Sequence, residues 1–317
     1  MRAPTFQWLL IWLVGGLAAW IYSLKYGIPP QWAIPAALSL LVELSFYSAL
    51  GFERLRRRIG SWTAGRIPLV LLTALLPYLT WAGLTSGVHP NHLVALGLLS
   101  AVPLLWFELL KRNLLSDLGF LGCMAGVYLG HILDPIYPSP HPALEIRVLG
   151  HLLWIRLGIF AALEIRQLRG TDFGFWPTRQ HWVAGLTWYA AFLPIGVGLA
   201  HWLGFGQPRL MEGWWWRAPL LFAGILWVVA LSEEFFFRGF LQQVLSRPLG
   251  RWGGLVISSV IFGAAHLPFR HFPNWKFALV ATLAGLFYGL AFQMAQSIRA
   301  SMVTHSLVVV TWRVFYS

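Results

Sequence analysis

Charged residues are scarce in this chain. Only 11% of its 317 residues are Asp, Glu, Lys or Arg, whereas 58% are hydrophobic. Soluble domains carry about 25% charged residues, so this chain lacks the polar groups that would cover a surface in water. The scarcity excludes a soluble globular protein, and the apolar excess is the opposite of what a disordered chain shows. A polytopic membrane protein is the class that remains.

Cysteine and acidic residues are scarce as well. Cys123 is the single cysteine, which excludes an internal disulfide, a CxxC redox pair and a multi-thiolate metal site. The 11 acidic residues are outnumbered by 23 basic ones, and the formal net charge is +12. The basic residues lie between apolar runs, as anchoring in a bilayer requires. We therefore expect the lipid bilayer as a partner and expect no nucleic acid.

Long apolar runs are what the sequence does contain. Each is close to the ~20 residues that a transmembrane helix needs, which predicts an all-α helical bundle of about eleven transmembrane helices. The predicted spans are 6–24, 30–51, 67–86, 92–110, 114–133, 148–164, 182–203, 218–246, 252–269, 276–296 and 299–316.

A cationic loop from 166 to 180 divides these spans into six and five. We predict an N-terminal transmembrane extension with this connector over residues 1–181, and a C-terminal core over residues 182–317. Fourteen Lys and Arg residues fall on one side of the predicted bundle and seven on the other. The positive-inside rule then places the connector in the cytoplasm. The sparse loops favour a multi-pass protein of a prokaryotic plasma membrane, and the oligomeric state stays open.

Few ionisable residues lie deep inside the predicted spans. Each costs at least about 2.5–3.5 kcal/mol to insert, so each is a functional candidate by default. They are Glu43, Arg156, Glu233, Glu234, Arg238, His266 and His305. No motif surrounds Glu43 and Arg156, and we expect these two to pair with each other.

Glu234 and Arg238 are four residues apart, so they are neighbours on one face of a helix and can neutralise each other. Glu233 lies about 100° round the helix and has no such partner. Its carboxylate is left to meet a group on another helix, as a general base would. A polar clamp between helices is the alternative interpretation.

His266 follows Phe262 by four residues, which stacks the two rings on one face. Glu233 comes 16 residues before Leu249, the centre of a predicted turn, and His266 comes 17 residues after it. At a rise of about 1.5 Å per residue, the carboxylate and the imidazole reach the same depth and can hold a water between them. His305 lies eight residues beyond a turn near Ser297, about 12 Å along the helix, which predicts a shallower position than that of Glu233 and His266. Tilt of the helix or a buried loop could still bring it to them.

Taken together, Glu233-Glu234-x-x-x-Arg238, Phe262-x-x-x-His266 and the later His305 resemble the motifs of the CAAX protease and bacteriocin-processing family of intramembrane endopeptidases. The resemblance implies that Glu233 activates water with Glu234 and Arg238 in support. It also implies that His266 helps to hold the water and that His305 stabilises the oxyanion. The implied substrate is a membrane-associated protein or peptide whose C-terminal tail or leader is cleaved.

One position departs from this family, which usually carries Asn or Asp where this chain has Val309. A second oxyanion donor is then missing, or it comes from Thr304, Ser306 or the backbone. We predict a glutamate peptidase without a cofactor; two histidines and a glutamate could hold zinc, but the adjoining Arg238 opposes a second cation. The alternatives are an ion- or proton-coupled transporter and an inactive scaffold or immunity protein of the same fold.

Overall fold

The computed structural model describes residues 4–85 and 87–316 of the chain. These residues form helices, and their one β-bridge joins Pro208 to Tyr316. The predicted all-α class is therefore confirmed. By contacts the chain divides between Gln167 and Leu168 into two compact units, so that residues 168–181 pack with the C-terminal helices. The predicted functional boundary at residue 181 stays a prediction.

The N-terminal unit contains seven α-helices in its described residues, and the last continues into a wider π-helical turn, Ala161–Ile165. The helices are α1 Pro4–Tyr26, α2 Pro30–Ala49, α3 Glu53–Ser61, α4 Arg66–Leu84, α5 Pro90–Leu109, α6 Leu114–Leu129 and α7 Val148–Phe160.

The C-terminal unit contains six α-helices and two π-helical stretches, Ile225–Ala230 and Phe235–Gln242, which flank the short α10. The helices are α8 Arg179–Trp202, α9 Trp214–Gly224, α10 Leu231–Glu234, α11 Gln243–Ala264, α12 Trp275–Ala295 and α13 Ile298–Phe315. A π-helical turn inside an α-helix often accompanies a functional site.

Eight helical segments among the described residues are long and apolar enough to cross a membrane, which makes the chain an integral multi-pass membrane protein. Three differences separate this number from the eleven predicted. Helix α6 has only 16 residues. Helix α13 includes two arginines, a histidine and several hydroxyl residues. The run Trp214–Ala264 counts once, although Gly250 breaks it. The number eleven is therefore not confirmed.

The expected pairing of Glu43 with Arg156 is confirmed. Arg156 Nε donates to Glu43 Oε1 at 2.8 Å, and Arg156 Nη2 donates to Glu43 Oε2 at 3.1 Å. Thr73 accepts further hydrogen bonds from the same guanidinium, at 2.9 Å through Oγ1 and 3.2 Å through its carbonyl. Both charged side chains are buried. The pair is fully hydrogen-bonded, as a buried structural ion pair must be.

The predicted turn near Leu249 is present, because Gly250 has φ +73° and breaks α11 into two arms. The arms pack closely: a Cβ atom on Gly254 would lie 2.8 Å from the Gln242 carbonyl oxygen. On the other side of this hairpin, a Cβ on Gly289 of α12 would lie 2.2 Å from Leu255. Small residues thus let three helical segments approach one another.

The second arm ends earlier than predicted. Helix α11 ends at Ala264, whereas the predicted span continued to residue 269. His266 therefore lies in the turn after the helix, where its backbone N–H donates to the Gly263 carbonyl at 2.9 Å. A cis Phe272–Pro273 bond follows in the same loop. The predicted span was too long because Leu267 and Pro268 continue the apolar composition after the helix has ended.

Candidate active site

Glu234 and Arg238 form the buried centre of the site, and neither side chain has any exposed surface. Arg238 Nε lies 3.3 Å from Glu234 Oε2, as their spacing predicts. Arg238 Nη2 donates to the carbonyl oxygen of Gly285 on α12 at 3.0 Å. A Cβ on Gly285 would lie 3.1 Å from that nitrogen, so glycine leaves room for the guanidinium to reach the backbone.

Aromatic rings surround the Arg238 guanidinium. Its carbon lies 4.7 Å from the ring centre of Phe262, 5.7 Å from Tyr288 and 5.8 Å from Phe237. Ring faces attract a cation, most strongly where water is excluded. Phe262 also contacts His266, with ring centres 4.7 Å apart, and His305, at 6.0 Å. Phe262 therefore links three of the predicted site residues, which is more than the packing on His266 that its spacing predicts.

His305 lies between the two glutamates. Its Nδ1 is 2.7 Å from Glu234 Oε1, and its Nε2 is 3.9 Å from Glu233 Oε2. An ionised carboxylate only accepts hydrogen bonds, so Nδ1 carries the proton and Nε2 is turned towards Glu233. The prediction that His305 is shallower than Glu233 and His266 is wrong, since the imidazole contacts Glu234 directly, as the alternative of tilt or a buried loop allowed.

The start of α13 explains this error. Ile298 packs inside the unit beside Gly239, since a Cβ on Gly239 would lie 3.1 Å from the Ile298 side chain. The turn before Ile298 therefore lies deeper than the turn at Leu249. Gly239 is five residues from Glu234, or about 7.5 Å, and His305 is seven residues from Ile298, or about 10.5 Å. Measured from the level where Ile298 and Gly239 meet, the imidazole and the Glu234 carboxylate differ by only about 3 Å in depth.

Glu233 differs from its neighbour in exposure. Its side chain is 32% exposed, whereas that of Glu234 is fully buried. Its Oε2 atom is nevertheless shielded and makes no hydrogen bond within the described residues. Glu233 thus presents a carboxylate that reaches open space and has one oxygen turned inwards without a partner.

His266 is held by its own helix end. Its Nδ1 lies 2.8 Å from the Phe262 carbonyl oxygen, which can only accept, so Nε2 carries the lone pair of the neutral ring. Phe277 packs edge-on against the imidazole at 4.9 Å. Among the described residues no hydrogen bond or ion pair joins His266 to Glu233. Their predicted cooperation on a water stays a prediction.

The hydroxyl groups beside His305 are already engaged. Thr304 Oγ1 donates to the Gly185 carbonyl at 3.0 Å and has the Ala300 carbonyl at 3.3 Å. Ser306 Oγ donates to the Met302 carbonyl at 2.7 Å. Each hydroxyl has one hydrogen, so neither is free to act as the second oxyanion donor in this arrangement. Val309 itself has no polar atom to offer.

Tyr288 is a site residue that the sequence reasoning missed. Its ring stacks on His305 with centres 4.6 Å apart and planes 12° apart, and Phe262, whose ring centre is 5.9 Å from that of Tyr288, contacts the same imidazole edge-on. Together the two aromatic residues fix the plane of the imidazole. No motif surrounds Tyr288, but it lies three residues after Gly285, which could have indicated the same helix face.

Unpartnered polar atoms accumulate at this site. The described residues leave five buried atoms without a hydrogen bond here, which are Glu233 Oε2, Glu234 Oε2, Arg238 Nε, Arg238 Nη1 and Gln242 Oε1. Buried polar groups in native proteins almost always have partners, water included. A cluster of this kind is therefore a place where water or a polar substrate group would bind.

The site does not fit a zinc ion. In the described part of the chain, the one group of three His, Cys, Asp or Glu residues whose ligand atoms lie within 4.8 Å of one another is elsewhere. The Arg238 cation already neutralises Glu234. The predicted lack of a cofactor itself stays a prediction.

Fold and site together describe a multi-pass helical membrane protein whose incompletely paired ionisable residues meet in its C-terminal unit. Residues 213–311 match the family model of the Type II CAAX prenyl endopeptidase Rce1-like proteins. The match includes every predicted site residue and covers less than a third of the chain. It confirms the resemblance to the CAAX proteases and indicates a peptidase of this intramembrane type. No curated protein and no solved structure matches the chain.

Proposed function

We propose that the chain hydrolyses a peptide bond of a membrane-associated protein or peptide, with Glu233 as the general base that activates water. The observation that carries the proposal is the state of Glu233. It is the one carboxylate of the pair that reaches open space, and its inner oxygen has no hydrogen-bond partner among the described residues. A carboxylate that is not neutralised can accept a proton from water.

In the proposed reaction, water adds its oxygen to the substrate carbonyl carbon while Glu233 takes one proton. The electron pair of the carbonyl moves to its oxygen, and His305, which in this proposal carries a proton on both ring nitrogens, donates from Nε2–H to this oxyanion. Glu234 accepts from Nδ1 and so stabilises the imidazolium, as the carboxylate of a catalytic triad does. Glu233 then returns the proton to the leaving amine as the C–N bond breaks. No metal takes part.

The remaining predicted residues have supporting roles in this proposal. Arg238 neutralises Glu234 and ties it to α12. His266, through Nε2, accepts a hydrogen bond from the attacking water and orients it. Phe262 and Tyr288 hold the imidazole of His305 in place. We further propose a prokaryotic plasma membrane as the location, a substrate that is cleaved in a C-terminal tail or a leader, and a cytoplasmic opening of the site.

An inactive scaffold is the second candidate, because one observation favours it. Val309 stands where the family usually has a polar residue, and the hydroxyls of Thr304 and Ser306 are bound to backbone carbonyls. One oxyanion donor is typically worth about 10²–10³ in rate, so a single donor predicts slow turnover. A transporter would need ionisable groups along a path, and Glu43, Asp117 and Glu164 of the N-terminal unit are instead each paired with an arginine.

The test compares peptide termini in membranes from cells that express the wild type or Glu233→Gln at matched abundance. We expect new termini with the wild type only, which would also identify the substrate. The matched control is Glu53→Gln, because Glu53 is an exposed glutamate of the N-terminal unit. Identical termini in wild type and Glu233→Gln, with a separate positive control showing that the assay is sensitive, would contradict the protease and favour the scaffold.

A further inference from the structure

A second cluster of ionisable side chains lies in the N-terminal unit, at the end where α6 leads into α7. His131 and Asp134 belong to the segment after α6, and His151 lies in the first turn of α7. One potential ligand atom from each residue lies within 4.8 Å of the other two. We propose that these three residues form a binding site for a divalent transition-metal ion of the zinc type.

The distances match a tetrahedral site. His131 Nδ1 is 3.1 Å from Asp134 Oδ2, and His151 Nε2 is 3.4 Å from Asp134 Oδ1. Ligands about 2.0–2.1 Å from a tetrahedral zinc are about 3.4 Å from one another. Small movements of side chains would therefore suffice to place all three around one ion, and a fourth position would remain for water.

Asp134 has a carboxylate oxygen that is available to bind a metal ion. Its Oδ1 atom is shielded from solvent and makes no hydrogen bond among the described residues, although the side chain retains 17% exposure. Its Oδ2 atom lies 3.3 Å from Arg147 Nη1. Carboxylates that bind metals are commonly held by an outer hydrogen bond of this kind. Arg147 is neutralised in turn by Glu145, at 2.7 Å, so the surroundings keep a net negative charge for a cation.

The two imidazoles set the kind of ion. Two nitrogens and one carboxylate suit zinc and its neighbours in the first transition row, whereas magnesium and calcium prefer oxygen ligands alone. Tyr128 packs beside the His151 ring with centres 5.0 Å apart, which limits the rotation of that ligand. His131 adopts φ +54°, an uncommon conformation for a residue with a side chain.

A bound ion would connect two elements that are otherwise joined by the loop of residues 130–147. It would fix the end of α6 to the beginning of α7 and shorten the free part of that loop. We therefore expect zinc to raise the thermal unfolding temperature of the protein, because an ion that binds only the folded state stabilises it.

The test uses the purified full-length protein in nanodiscs, stripped with a chelator and titrated with Zn²⁺ by calorimetry. Cobalt as a spectroscopic probe reports tetrahedral coordination. We expect one ion per chain, and a loss of affinity of at least about 100-fold in His151→Ala and in Asp134→Ala. His131→Cys supplies a different zinc ligand and should retain binding. Metal-free variants that unfold like the metal-free wild type would show that the fold is intact.

Two controls separate this site from others. His141→Ala changes a histidine of the same loop that bonds to the Ala143 backbone and is outside the cluster. His305→Ala changes the candidate active site. Both should bind zinc as the wild type does. The proposal is overturned if the wild type binds no zinc, if His151→Ala binds as tightly as the wild type, or if His305→Ala loses the ion.

Discussion

Each of the two units buries a carboxylate and a guanidinium, but the pairs are completed differently. Arg156 makes two hydrogen bonds to Glu43 and two more to Thr73. Arg238 makes one hydrogen bond to a backbone carbonyl and only an ion pair at 3.3 Å with Glu234. Every nitrogen of the Arg156 guanidinium and both Glu43 oxygens make a hydrogen bond, whereas the second pair leaves buried polar atoms without one. Residue type alone does not distinguish the two pairs; the completeness of their hydrogen bonding does.

The largest difference between the two units is expected when one glutamate in each is neutralised. Glu233→Gln should lower cleavage at least about 100-fold by removing the base, with the unfolding free energy within about 0.5 kcal/mol of wild type. Glu43→Gln leaves Arg156 uncompensated and should lower the unfolding free energy by about 3–5 kcal/mol, with cleavage per folded molecule unchanged. Cleavage assays and denaturation of the same preparations measure both. A similar loss of cleavage in both variants would remove the distinction.

Glu234→Ala should combine the two effects. It strands Arg238 without an opposite charge, so the unfolding free energy should fall by about 3–5 kcal/mol. It also removes the acceptor of His305 Nδ1, so cleavage by the remaining folded protein should fall. The double variant Glu234→Ala with Arg238→Met should recover stability and stay inactive. Unchanged stability in Glu234→Ala would show that the ion pair is not important to the fold.

Val309→Asn tests whether the site lacks a donor. An added amide close to His305 should raise cleavage, by up to about 10²-fold if it reaches the oxyanion. Val309→Leu, which adds volume without a donor, is the matched control and should not raise cleavage. Steady-state rates on the substrate identified from the new termini measure the effect. A rate that does not change in Val309→Asn would mean that a backbone group already fills this role.

The smallest expected effect concerns Asp172 in the connector. Burial alone would raise the pKa of Asp172, but hydrogen bonds from Arg299 and Ser297 and the charge of Arg299 hold it below its ordinary value. A depressed pKa stabilises the fold above the ordinary pKa, and this stabilisation is lost as the pH falls through the lowered value.

Asp172 is 42% exposed, so its contribution is below about 1 kcal/mol. Asp172→Asn should therefore lower the melting temperature slightly at pH 7, and the difference from wild type should shrink as the pH falls through the lowered pKa of Asp172. Thermal unfolding at pH 7 and at successively lower pH values measures this. A difference that persists unchanged at low pH would rule out the ion pair as its cause.

Local spacing predicted part of the site correctly. Glu234 and Arg238 pair, and Phe262 packs on His266, because both pairs are separated by four residues within or next to a helix. The sequence could not predict the depth of His305. That depth is set by the packing of Ile298 between Gly239 and the connector, and both of these are distant from Ile298 in the sequence.

Other features depend on tertiary contacts in the same way. Tyr288 becomes a site residue only because α12 and α13 pack against each other at this level. The engaged hydroxyl of Thr304 depends on the Gly185 carbonyl of α8, more than a hundred residues earlier in the chain. The predicted number of spans is not confirmed because apolar composition continues through the broken and short helices, so composition alone does not mark where a helix ends.

The attachment of α13 to the connector has a geometric consequence. Ile298 N–H donates to the Thr171 carbonyl at 3.0 Å, and Arg299 donates to the carbonyls of Asp172 and Trp176 at 3.1 Å each. These bonds fix the orientation of α13 about its own axis, and His305 lies about two turns further along this helix. One inserted residue between the attachment and His305 would turn the imidazole by about 100° away from the glutamates. The connector thus determines the direction in which the His305 imidazole points.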